Sequence, residues 1–332
     1  MTQMKRFFPL FVLLIVLSLA ACAPAAVEAP AAPVVVEQAA PTVEEVVVEE
    51  PAVEAAPIVL TDGLGREIVL AAPAQAIISL APSNTELLFG VGAGDQVIAR
   101  EDFSNYPEAA LDLPSIGNTQ EYSLEMLVSL QPDLVLAADV NAPEQIKAIE
   151  DLGITVFQVT NPIDLEGLYE NMRIVAQLTG HEAETEAWIE TAKERVTAVE
   201  VTIARAETTP TVFYELDATD PTKPWTSGSG TFIDTLITMA GGTNIASAMD
   251  TPWAQYSQEE LILQDPQIIL LGDAMWGVTP EMVAERPGWD GISAVVNGQV
   301  QPFNDDLVSR PGPRLIDGLE ALARAIHPEL FK

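Results

Sequence analysis

Cationic side chains, histidine and cysteine are all scarce in this chain. Its 332 residues hold 15 Lys and Arg against 49 Asp and Glu, a formal charge of −34. A nucleic-acid binder needs a positive surface to displace counterions from phosphates, so this balance excludes that class. A single cysteine makes neither an internal disulfide nor a cysteine zinc cluster. Two histidines, His181 and His327, leave little material for a His-rich metal site or a Ser-His-Asp enzyme. They read as exposed or helix-end residues. The glycine-rich stretches 90–94 and 227–230 have neither the Gly-x-Gly-x-x-Gly spacing nor the lysine of a phosphate loop. Ser229 lies between glycines without the spacing of a nucleophile elbow. No enzyme site is singled out. Acids are abundant enough that a secreted hydrolase with a carboxylate site is the alternative from another functional class.

What is present is unevenly spread. Residues 1–21 carry Lys5 and Arg6 and then an apolar run over 7–19, a charged region followed by a hydrophobic region of export-signal length. The run is too short for a membrane span. It ends Leu-Ala-Ala-Cys at Cys22, which resembles a bacterial lipobox and implies cleavage before Cys22 and lipidation of that residue. Residues 22–57 are almost entirely Ala, Pro, Val and Glu, without glycine or aromatics. Repeated proline forbids a long helix and like charges extend the chain, so this segment reads as a disordered tether reaching about 100 Å at full stretch. The part beyond it, 58–332, keeps 42 acidic and 13 basic residues, so the acidity belongs mainly to the folded protein. Such a surface favours solubility, and some of its carboxylates suit docking onto a basic partner.

From residue 58 the pattern alternates between strands and helices, which implies parallel βαβ units. The spacing predicts a hairpin over 58–70, strands near 76–80, 96–99, 133–137 and 154–159, and helices after Ser83, after Ser123 and over 143–152. Ser83-Asn-Thr-Glu86 has the spacing of a capping box. Residues 164–207 read as helix interrupted at Gly180, and 182–207 would form a rod of about 40 Å. Alternation then resumes over 211–216, 231–240, 259–264, 267–271 and 315–326. Residues 123–137 and 257–271 align without gaps, sharing Ser, Glu, Leu, Pro and a strand Leu. This predicts two similar α/β lobes, 58–163 and 210–332, joined by linking helices over 164–209. Glu125 and Glu259 are the equivalent acids of the repeat. Each falls in a first helical turn, where the helix dipole already favours an acid.

Several segments together carry a family resemblance: Ile-Ser-Leu-Ala-Pro-Ser-Asn-Thr-Glu at 78–86, Asn-Tyr-Pro at 105–107, Ser-Leu-Glu at 123–125, Trp-Thr-Ser-Gly at 225–228, Ala-Gly-Gly-Thr-Asn at 240–244 and Pro-Gly-Pro-Arg at 311–314. Their order and spacing resemble the cobalamin and ferric-siderophore class of ABC-transporter substrate-binding proteins. The resemblance covers essentially all of 58–332. It implies an α/β fold of two Rossmann-like lobes joined by a single long helix (the class III periplasmic-binding-protein fold). It further implies a lipid-anchored, extracytoplasmic monomer that binds cobalamin, another corrinoid or a ferric siderophore between its lobes, performs no catalysis, has no catalytic cofactor and delivers its cargo to a permease dimer with a cytoplasmic ATPase. By the same resemblance, cleft positions fall at Phe103, Trp225, Trp253, Asp306 and Arg310, with Tyr106, Ser83 and Asn84 as further candidates. Where cobalamin-binding members place another aromatic, this chain has Thr119, which removes one stacking wall. Glu125 and Glu259 take the role of permease-docking acids. A metal-ion binder of a related importer would need more histidines. A haem binder would need an axial His or Tyr, for which Tyr106 and Tyr122 are available. An anionic ferric chelate would favour several arginines, and Arg286, Arg310 and Arg314 are at hand.

Overall fold

The computed structural model describes residues 56–331. The export signal, Cys22 and all but the last two tether residues lie outside them. The chain enters through a hairpin of β1 (Ile58–Thr61) and β2 (Glu67–Leu70). Its turn is fixed by Asp62, whose Oδ1 accepts the N–H groups of Leu64 and Arg66. The first lobe follows: β3 (Ile77–Ser79), α1 (Pro82–Gly90), β4 (Val97–Arg100), a short ribbon of β5 (Gly117–Asn118) and β6 (Glu121–Tyr122), α2 (Leu124–Leu130), β7 (Leu134–Ala138), α3 (Pro143–Glu150) and β8 (Val156–Val159). Its sheet runs β4-β3-β7-β8 with every neighbouring pair parallel.

Two helices come next, α4 (Leu165–Thr179) and α5 (Glu182–Ile203), broken at Gly180 in the left-handed conformation. At 22 residues α5 is about 33 Å long. It ends at Ile203 with Ala204 as its C-cap, short of the 207 expected. The second lobe comprises β9 (Thr211–Glu215), β10 (Trp225–Ser227), α6 (Phe232–Met239), β11 (Thr243–Asn244), β12 (Trp253–Gln255), α7 (Gln258–Gln264), β13 (Ile268–Leu271), α8 (Pro280–Ala284), α9 (Ser293–Val296), β14 (Val300–Pro302) and α10 (Leu315–Ile326). Its sheet runs β11-β9-β13-β14, again all parallel. In each lobe's own numbering the order is therefore second, first, third, fourth.

The central strands are apolar on both faces. β7 (Leu-Val-Leu-Ala-Ala) and β13 (Ile-Ile-Leu-Leu) are buried throughout, as a parallel sheet covered on both sides requires. One apolar cluster runs from the first sheet (Ile77, Leu136, Phe157) through α4 and α5 (Met172, Val175, Ile189, Val196) to the second sheet (Val212, Leu270) and α10 (Leu319, Leu322). The rod α5 is thus part of a core common to both lobes. Separate clusters fill the outer face of each sheet.

The aligned segments 123–137 and 257–271 adopt the same structure. Ser123 and Ser257 each cap a seven-residue helix by accepting the N–H three residues on. Each helix ends on a non-glycine residue at φ 48°, Gln131 and Asp265. A proline follows, and the next side chain, Asp133 or Gln267, accepts an N–H at the start of the neighbouring strand. The capping box expected at Ser83 is not formed. Pro82 occupies the first turn, so the helix begins two residues earlier with Ala81 as its N-cap, and no side chain caps it. Glu86 is committed elsewhere, as described below.

The left-handed C-caps give a paired stability prediction. The Gln131 side chain is exposed and that of Asp265 accepts from Ser293 N–H at 2.6 Å and Ser293 Oγ at 2.7 Å. Gln131→Gly relieves the left-handed strain and is expected to stabilise by about 1 kcal/mol in urea unfolding. Asp265→Gly relieves the same strain but loses both hydrogen bonds, and is expected to gain nothing or to destabilise.

Candidate functional site

The loops at the carboxyl ends of the two parallel sheets meet. This is where open α/β sheets present ligand sites, because the strands themselves are sealed into the core. Two cavities share this junction. One, of about 330 Å³, is lined from the first lobe by Asp102, Phe103 and Asn105, which follow β4, and from the second by Met275, Trp276, Asp305, Asp306, Ser309 and Arg310. The other, of about 190 Å³, is lined by Ala81, Pro82, Ser83, Ala138, Val140 and Asn161 from the first lobe and by Ser309, Arg310 and Pro311 from the second. Arg310 stands between them. The apolar walls of the larger cavity are unusually open: Phe103 is 53% exposed, Met275 48% and Trp276 75%. An aromatic ring from each lobe therefore faces a common space.

The floor of the cleft is an ion-pair cluster that crosses the lobes. Glu86 of α1, only 2% exposed, accepts from Arg314 Nε at 2.9 Å and Arg314 Nη2 at 2.5 Å. Arg310 Nη1 donates to Asn105 Oδ1 at 2.6 Å and approaches Glu86 Oε1 at 3.4 Å, while its Nη2 lies 2.8 Å from Asp306 Oδ1. The Arg314 guanidinium also lies 4.2 Å from the centre of the Tyr106 ring. Behind this floor, Glu101 accepts from the Phe103 N–H and the Ser104 hydroxyl, which orients the Phe103 loop. Burial pushes the carboxyls of Glu86 and Glu101 up, against the pull of the neighbouring hydrogen bonds and arginines.

A second buried cluster supports the lobe-two side. Arg286 donates to both oxygens of Glu215 at 2.6 and 2.8 Å and stacks 4.6 Å over Trp289. Asp273, at the carboxyl end of β13, takes the Ala218 N–H on one oxygen and has no partner on the other. Burial, and then the Glu215 charge, push its carboxyl up to about 7. Beside it, Tyr214 donates to Asp305 at 2.8 Å, and burial raises Asp305 as well.

The expected site residues divide by position. Phe103, Asp306 and Arg310 share one cavity, and Ser83 lines the other. Tyr106 faces away from both, into a rear cavity beside Trp188 and Arg195. Asn84 is buried in α1 with neither amide atom partnered. Thr119 sits in the β5–β6 turn, where its carbonyl accepts from Gln145. Pro224 before it and Thr-Ser-Gly-Ser-Gly after it would put Trp225 in a loop, but it does not lie in one. It begins β10, which pairs with β12, and cross-strand register puts Trp225 and Trp253 on the same face of that ribbon, 45% and 41% exposed. The ribbon is joined to the carboxyl end of β9 through Leu216 and Asp217. Arg286 and Arg314 are not free for a ligand, being paired with Glu215 and Glu86. His327 ends α10 as expected, but it is buried, bonded to the Gly241 carbonyl and to Glu329. Met275, Trp276 and Glu86 were missed. Trp276 stands out in the sequence only as one of the four tryptophans of the second lobe, and the Glu86 motif invited the capping explanation instead.

Comparison with known proteins places this architecture. The periplasmic binding protein family matches over residues 77–306. The chain belongs to that family. It is 31% identical over 285 residues to an uncharacterized ABC transporter substrate-binding lipoprotein, YvrC, of Bacillus subtilis, covering 84% of this chain and 88% of that one. It is 32% identical over 263 residues to a vitamin B12-binding protein of Vibrio campbellii, covering 74% and 87%. The apo structure of the periplasmic haem-binding protein RhuT from Roseiflexus sp. RS-1 matches with a TM-score of 0.70 at 26% identity, covering 77% and 99%. As a periplasmic binding protein the chain is a non-catalytic, extracytoplasmic substrate-binding component of an ABC importer, and its fold is the two-lobed class III arrangement. Among the described residues no helix is long and apolar enough to cross a membrane, and no group of three His, Cys, Asp or Glu could hold a metal ion.

The buried acids predict a pH dependence. Asp273 titrates near 7 in the native state and near 3.8 when unfolded, so between those values the native protein binds the extra proton. Stability therefore falls as pH rises through that window, by up to about 1.4 kcal/mol per unit, and levels off above it. Asp273→Asn is expected to flatten the slope between about pH 5 and about pH 7 in urea unfolding.

Proposed function

We propose that this protein captures a corrinoid, cobalamin or a close relative, in the cleft between its lobes and hands it to an importer. The observation that carries this reading is the cavity in which Phe103 of one lobe faces Met275 and Trp276 of the other above Asp306 and Arg310. Broad exposed aromatic faces with a few fixed polar groups suit a large, flat, mainly apolar ligand. Ser83 lines the narrower cavity, and Trp225 and Trp253 offer a further exposed aromatic face on the β10–β12 ribbon of lobe two, whereas Asn84, Tyr106 and Thr119 border neither cavity. The vitamin B12-binding relative supports the ligand class. A haem reading is supported by the fold neighbour but wants an axial donor. The Tyr106 ring is stacked on Arg314, and the Tyr122 hydroxyl is buried, donating to Leu80 and accepting from Asn141.

Delivery rests on the repeated unit. Glu125 and Glu259 are both exposed and occupy equivalent positions on the capped helices α2 and α7. Each is followed three residues later by an exposed aliphatic, Val128 and Ile262. Two matched acidic knobs with apolar companions fit a permease dimer presenting a basic site on each subunit. Lipidation at Cys22 and the 22–57 tether would hold this monomeric carrier at the membrane, its lobes 58–163 and 210–332 linked by 164–209.

Tryptophan quenching tests the ligand. Cyanocobalamin and cobinamide are expected to saturate, and ferric hydroxamate, ferric citrate and haemin are not; no saturable response to either corrinoid would refute the reading. Phe103→Ala and Trp276→Ala should each weaken corrinoid binding about tenfold. For docking, the pair Glu125→Lys and Glu259→Lys should abolish uptake in cells while solution affinity stays unchanged. Uptake that survives both changes removes these acids from the interface.

A further inference from the structure

We propose that Glu86 sets the charge preference of the ligand cleft: by holding Arg310 and Arg314 in ion pairs it reserves the cleft for neutral and cationic ligands and turns anionic chelates away. This rests on the reading of the interlobe cleft as the ligand site.

Arg310, the cation that borders the cleft, and Arg314, which lies behind it against the rear cavity, are both already engaged. Arg314 meets the Glu86 carboxylate through Nε and Nη2, the two-pronged geometry with which an arginine would otherwise grip a carboxylate or chelate oxygen of a ligand. Arg310 is divided among Glu86, Asn105 and Asp306. Arg310 is also the sole cation among the described residues lining the two cleft cavities. Glu86 and Asp306 therefore bring the two arginines to zero net charge, and Asp102 and Asp305 on the same cavity wall tip it negative. An anionic ligand would have to displace a carboxylate that is itself almost wholly buried, leaving that carboxylate without a partner. A neutral or cationic ligand pays no such penalty. Glu86 touches no cavity wall on the cleft side, so it acts through the arginines as a positioning residue.

A purely structural role would lower stability yet leave the ranking of ligands by charge unchanged, and this separates the two. The full chain is titrated with aquocobalamin, cyanocobalamin and ferric citrate, which are cationic, neutral and anionic. E86Q is expected to bind ferric citrate saturably, about tenfold or more above the limit that wild type sets, and to lower the ratio of aquocobalamin to cyanocobalamin affinity. E86D, which keeps the charge, should restore the wild-type ranking. N105D places a carboxylate at an exposed position against Arg310 and should raise the aquocobalamin ratio; it reads the same balance even where E86Q does not fold. A folded E86Q with the wild-type ranking, or N105D without its shift, overturns the proposal. Wild type that binds neither cobalamin refutes the corrinoid reading instead, and a gain of ferric-citrate binding by E86Q would still uphold the role of Glu86.

Discussion

The Glu86 carboxylate is taken out of water between the two lobes, and two guanidinium groups more than two hundred residues away in sequence compensate it. A buried charge of this kind is costly unless its partners are held in place, so the pair constrains everything around it. It fixes where the 310–314 segment lies against α1. It also brings Asn105 and Tyr106 into register with the arginines, and through Arg310 it fixes the floor of the cleft. The width of the site is therefore set by an electrostatic contact rather than by loops that happen to meet.

The second constraint is the shared core. In many two-lobed binders a few extended residues act as a hinge. Here α4, α5 and α10 belong to one apolar cluster that reaches into both sheets. A large rotation of one lobe would have to shear packed side chains and part the Glu86 cluster. Arg195 of α5 adds contacts to Asp317 and Glu320 of α10, although these are half-exposed and contribute little alone. A site built on such a frame works by being preformed. That suits a ligand that is itself broad and rigid, because little ordering is then needed on either side when they meet.

Much of the frame was legible in the sequence because it rests on local rules. The alternation of short apolar runs with capped helices gave the parallel sheets, Gly180 gave the break between α4 and α5, and the 123–137 and 257–271 alignment gave the repeat with its serine caps. Local rules also misled. Ser83 and Glu86 have capping-box spacing, but Pro82 captures the helix start and a distant arginine pair captures the glutamate. The β10–β12 ribbon escaped because its strands are three residues long and pair across a gap of 25 residues. At the candidate site, Phe103, Asp306 and Arg310, which share one cavity, were expected there through the resemblance to a family. Met275 and Trp276 were not, since they stand in a short 3-10 turn after β13 with no periodic signal. Partners chosen by tertiary packing leave no trace in spacing.

The scarcity of cations now has a structural meaning. With 13 basic residues against 42 acids beyond the tether, arginine is too rare to be placed idly. Arg286 neutralises Glu215 beneath the second lobe, Arg310 and Arg314 neutralise Glu86 and Asp306 across the cleft, and Arg66 neutralises Asp62 at the first hairpin. Each is spent on a carboxylate that is buried or half-buried, where an unpaired charge would be most expensive. Some exposed acids, among them Asp151, Glu186 and Asp317, have cationic partners too, but water screens exposed charge at little cost and the acids far outnumber the cations. That division leaves the outer surface strongly negative, with Glu125 and Glu259 standing on it, while the cleft is close to neutral and walled by aromatic rings. The contrast between the two surfaces follows from where so few arginines were put.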